Sequence, residues 1–148
     1  MTATPIHSDI APRRTSLGGM FVLLANGTFL LVAGGFGLLF DFLGHAGIGP
    51  FARAFVNSPY TVGSVEAHGL AVLASILLYR GATLEKKQFW HFYAVMIHLL
   101  LGGANLFFWG TFLSLGLVPL GVLTTAAHGV FVIVQCSCFV LARRGLHS

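Results

Sequence analysis

The chain has 148 residues, of which 56% are hydrophobic and 8% charged, with eight Lys and Arg against four Asp and Glu. A soluble domain carries roughly 25% charged residues, so this composition cannot coat a surface with groups that water solvates. A soluble enzyme, a nucleic-acid binder and a disordered chain are excluded, and lipid is left as the solvent.

A membrane-crossing helix needs about 20 predominantly apolar residues. After an N-terminal tail of residues 1–16, four stretches meet that need, at about residues 17–43, 60–79, 89–113 and 119–142. Arg13 and Arg14 precede the first. They could open a signal peptide, but the apolar run behind them exceeds an h-region and no small-residue cleavage site follows, so span one is read as retained. The loop from Gly44 to Pro59 carries Gly47, Gly49 and Pro50 together with Phe51 and Phe55, so part of it is expected at the membrane interface. Span two ends at Arg80, and Lys86 and Lys87 lead into span three. Aromatic residues cluster at both ends of span three: Phe89, Trp90, Phe92 and Tyr93, then Phe107, Phe108 and Trp109. Arg143 and Arg144 follow span four.

With alternating spans, seven of the eight basic residues fall on one side and only Arg53 on the other. The positive-inside rule then places both termini in the cytoplasm. Short connections make neighbouring spans antiparallel. The expected fold is a single all-α integral membrane domain, an up-down-up-down four-helix bundle. A weak repeat, Ala67-His68-Gly69 in span two and Ala127-His128-Gly129 in span four, suggests two tandem helical hairpins, with Asn26 matched to His98.

The polar residues inside the spans are spaced by seven. His91, His98 and Asn105 do so in span three, His128 and Gln135 in span four, and Thr61, His68 and Ser75 in span two. A step of seven returns to the same helix face within about 20°, so each helix has one polar seam, and the seams are expected to face one another. At helical rise His68 lies about 18 Å from Arg80, His98 about 16 Å from Lys87, Asn26 about 18 Å from Arg14 and His128 about 22 Å from Arg143. Counted this way, three histidines and an asparagine share a central layer, with Glu66 close to it.

Intramembrane ionisable groups are costly and mark function. The expectation is a site formed by His68, His98 and His128, with Glu66, Asn26, Asn105 and Gln135 around it or relaying protons. Two imidazoles, His68 and His128 first and His98 as the alternative partner, suit haem b in electron transfer; three suit a metal ion. A histidine with Glu66 also suits a quinone headgroup or a proton relay. The competing expectations are a small proton-coupled transporter, with Glu66 as the coupling carboxylate and the histidines as relay groups, and a non-catalytic subunit of a larger membrane complex or homo-oligomer. No motif names a reaction: Cys-x-x-Cys-His, His-Glu-x-x-His and the phosphate-binding loop are absent. Cys136 and Cys138 are read as inert core thiols. Asp41 is read as solvated at the outer end of span one. Ala33 and Gly37 in span one, and Ala67, Ala71 and Ser75 in span two, are read as close helix contacts within the bundle or between copies.

Overall fold

The computed structural model describes residues 17–144. Among them every regular element is helical: α1 (Leu17–His45), α2 (Ala52–Phe55), α3 (Tyr60–Ala82), α4 (Lys87–Phe107), α5 (Trp109–Ser114) and α6 (Val118–Arg143). Four of these, α1, α3, α4 and α6, are long and apolar enough to cross a membrane. The tail with His7, Arg13 and Arg14, and His147 near the other end, lie outside the described residues.

Three of the expected spans match α1, α3 and α6 closely. Span three differs. Its helix ends at Phe107, Phe108 takes φ −97° and ψ 27°, and α5 follows as a separate short helix. The break turns the chain back so that Phe112 lies on Gly121 of α6, where a Cβ at Gly121 would stand 2.8 Å from the Phe112 ring. Gly116 completes the turn with φ +68°, a backbone conformation that glycine adopts without a Cβ clash. In the first loop, α2 is held under α1: Phe51 meets Phe40 edge-on at 5.3 Å, and Phe55 lies over Gly44.

Helix α1 packs chiefly on α3, and α4 on α6. The α1 face that is buried repeats at three and four residues: Leu23, Gly27, Leu30, Gly34, Asp41 and Gly44. That is the spacing of a coiled-coil seam. On α3 the matching face carries Thr61, Ala71, Ser75, Leu78 and Ala82. A Cβ at Gly34 would stand 2.8 Å from the His68 carbonyl oxygen, and one at Gly27 would stand 3.3 Å from that of Ser75. The two backbones touch, as small residues allow in membrane helix pairs. Ala33 makes no close contact within the bundle: it is exposed, because it lies one position off the buried seam. Gly37, Ala71 and Ser75 do take part, Gly37 by making room for a side chain described below.

The common core, Leu23, Leu30, Ala71, Ala74, Leu78, Ala82 and Ala94, joins α1, α3 and α4. Large apolar side chains turn outward on all four long helices, among them Phe36, Leu73, Leu100 and Ile133. Outward apolar faces of this extent, on helices of this length, suit a hydrocarbon surrounding.

Candidate functional site: buried histidine pairs

The seams of α4 and α6 meet as a ladder of polar pairs. His91 Nδ1 donates to Gln135 Oε1 at 2.6 Å. One heptad along, His98 and His128 approach Nδ1 to Nδ1 at 2.9 Å. At the far end Asn105 Nδ2 donates to Thr124 Oγ1 at 3.1 Å. The first two rungs are separated by seven residues on each helix, running in opposite directions along the chain, so these helices are antiparallel with rungs about 10 Å apart. Gly102 allows the approach at the middle rung, since a Cβ there would stand 3.0 Å from that of His128.

The middle rung also reaches α1. His98 Nε2 lies 2.8 Å from Asn26 Oδ1. An amide oxygen only accepts, so His98 carries its proton on Nε2 and leaves Nδ1 as a lone pair. His128 must then donate from Nδ1, and its Nε2 is the bare nitrogen of the pair. Asn26 and His98 are both buried, with exposures of 0% and 1%. Asn26 Nδ2 has no hydrogen-bond partner among the described residues. Phe131 stacks on the His98 ring at 4.8 Å and 10°, and Phe29 of α1 meets the His128 ring edge-on at 6.3 Å.

His68 stands elsewhere. Its Nδ1 donates to Asp41 Oδ2 at 2.7 Å, and Ser64 Oγ donates to Asp41 Oδ1 at 2.7 Å. The carboxylate is 1% exposed, which corrects the reading of Asp41 as solvated. Asp41 lies on the Gly27 and Gly34 face of α1, and that face is covered by α3. A Cβ at Gly37 would stand 2.3 to 2.5 Å from three consecutive atoms of the His68 ring, so the imidazole lies flat on that glycine. Gly37 is about 16 Å along α1 from Asn26 at helical rise.

The structure therefore gathers His98, His128 and Asn26 and leaves His68 outside that group. Counting depth from basic anchors treats all helices as level, whereas the α1–α3 register sets His68 against Gly37 and Asp41. Gln135 and Asn105 sit in the rungs on either side of His98 and His128. Glu66 is exposed on the opposite side of α3 and joins neither cluster. No group of three His, Cys, Asp or Glu among the described residues could hold a metal ion. The repeated Ala-His-Gly segments have unlike partners: His68 pairs with Asp41, and His128 with His98.

Sequence reasoning missed Asp41, Ser64, Phe29, Phe131 and Thr124 as participants. Asp41 was within reach, since it lies seven residues from Gly34 and fourteen from Gly27 on one face. Together, fold and site define an all-helical protein with four candidate membrane spans and two separate histidine clusters, one around buried His98 and one around buried Asp41. Comparison with protein-family models, curated proteins and solved structures finds no match for this chain.

Proposed function

We propose that the chain is a multi-pass membrane protein, two helical hairpins in up-down-up-down order with both termini cytoplasmic, and that it is a small proton-coupled carrier whose coupling site is His98 with His128. The observation that carries this reading is the 2.9 Å contact between the two Nδ1 atoms inside a bundle of apolar helices. The neutral pair has one proton between its rings and a bare Nε2 on His128. One further proton on that Nε2 breaks no hydrogen bond. A second would have to enter between the rings and set two N–H groups against each other. The pair therefore binds one proton and resists two.

An ionised group costs several kcal/mol in a bilayer. Here the charge is shared over a hydrogen-bonded pair that ends on the Asn26 oxygen, with the Phe131 ring stacked on His98. Asn26, His98 and His128 belong to three helices, so protonation acts where the α1–α3 and α4–α6 pairs meet, which is where a carrier must move.

The test is proton flux into potassium-loaded proteoliposomes driven by valinomycin. Flux above protein-free vesicles that falls at least tenfold in His128→Gln supports the reading. Flux no greater than in empty vesicles contradicts it.

A second reading, a redox cofactor such as haem b or a metal ion, draws support from His68. A carboxylate on Nδ1 orients an imidazole and raises its basicity as a ligand. A haem between His98 and His128 would need the nitrogens about 4 Å apart, given a metal–nitrogen distance of about 2.0 Å. A Soret band in the purified protein would favour this second reading.

A further inference from the structure

We propose that His68 and Asp41 form a second site, independent of His98 and His128, that binds a lipid-soluble quinol through its hydroxyl group. Asp41 accepts from Ser64 at one oxygen and from His68 at the other, the arrangement of an ionised carboxylate. With its proton on Nδ1, His68 presents Nε2 as a lone pair, and this nitrogen has no hydrogen bond within the described chain. One face of the ring is covered by Gly37. The side chain is nevertheless 37% exposed, while that of Asp41 is 2% exposed. The structure thus has a buried carboxylate that fixes a tautomer and a partly exposed imidazole that carries the lone pair.

Three features select the ligand. A lone pair asks for a donor, so the ligand carries O–H or N–H rather than a carbonyl. The imidazole is partly exposed on a pair of apolar helices, so a ligand that reaches it partitions into lipid. Phe36 and Phe40, with rings stacked at 6.5 Å, stand on α1 beside the Gly37 face and offer flat apolar surface to an aromatic headgroup. A quinol meets all three conditions and its quinone fails the first. On proton transfer the O–H bond breaks, the proton goes to Nε2, and the imidazolium that forms stays paired with the Asp41 carboxylate. The ligand keeps its electrons and is left as the quinolate.

The experiment uses the full chain in nanodiscs and a short-tail ubiquinol analogue, kept reduced under argon, beside the same compound as the quinone. Saturable binding is expected, with the quinol favoured by at least about tenfold, the ratio set by one ordinary hydrogen bond. Asp41→Asn keeps the shape and the Ser64 bond, but its amide donates to His68 Nδ1. The proton of His68 moves to Nε2 and the preference reverses in favour of the quinone. His68→Phe loses the preference, and His128→Phe retains it, which separates this site from the proposed coupling pair. Absence of saturable quinol binding, equal affinity for both forms, or a quinol preference unchanged in Asp41→Asn overturns the proposal. A Soret band lost in His68→Phe also overturns it, by assigning the nitrogen to a haem.

Discussion

Replacing His68 by Phe strands the Asp41 carboxylate. The ring shape is kept over Gly37, but a carboxylate that is 1% exposed loses the donor on Oδ2 and keeps only Ser64. Breaking one side of a buried ion or hydrogen-bonded pair costs about 3–5 kcal/mol, because the remaining charge is left uncompensated. His68 is itself partly exposed, so its own desolvation on folding is incomplete and the lower end, about 3 kcal/mol, is expected. The double variant His68→Phe with Asp41→Leu removes both polar groups. Such replacements are often neutral or stabilising, so it should unfold close to the parent. The coupling between the two positions is then about 3 kcal/mol plus whatever Asp41→Leu costs alone. Unfolding in mixed micelles of rising SDS content, followed by the fluorescence of Trp90 and Trp109, measures all four forms. If His68→Phe stays within about 1 kcal/mol of the parent, or if the two changes simply add, Asp41 does not depend on His68 and the account of this pair is wrong.

Further outcomes follow from the same geometry. Gly34→Ala, whose Cβ would meet the His68 carbonyl at 2.8 Å, should cost about 1–3 kcal/mol in the same micelle assay. Its neighbour Gly35→Ala has nothing within 4 Å and should be neutral or stabilise by up to about 1 kcal/mol; equal effects at the two sites would refute the α1–α3 contact. Asn26→Leu removes the acceptor of a buried His98 Nε2–H and should destabilise by about 1–3 kcal/mol, with a shifted His98 side-chain nitrogen resonance; an unmoved resonance would refute the bond. Reporter fusions at Ser148 should read as cytoplasmic and those near Asn57 as external, and the opposite pattern would sink the orientation.

The helices were legible because helices long and apolar enough to cross a membrane advertise themselves: runs of apolar residues of the right length, closed by Arg80, Lys87 and Arg143. The α4–α6 ladder was legible for a related reason. His91, His98 and Asn105, with His128 and Gln135, keep a step of seven, and two such seams satisfy each other when they meet. What the sequence concealed was register. His68 has the same local sequence and a similar count from its anchor as His128, yet its partner is fixed by which α1 residue stands opposite. The close Gly27 and Gly34 contacts set that register, and they bring Asp41 to His68 rather than His68 to His98. Glu66 shows the converse, an ionisable residue in the right stretch of chain but on the outward face of its helix.

Coupling at His98 and His128 depends on a proton held between their rings, and solid-state nitrogen NMR of histidine-labelled protein in bilayers tests that contact most directly. The expected spectrum has a scalar coupling across the hydrogen bond between the two Nδ1 atoms. The pair should then take up one proton, on His128 Nε2, with the His98 Nε2–H unchanged. No coupling, together with two independent titrations of the rings, would contradict the account.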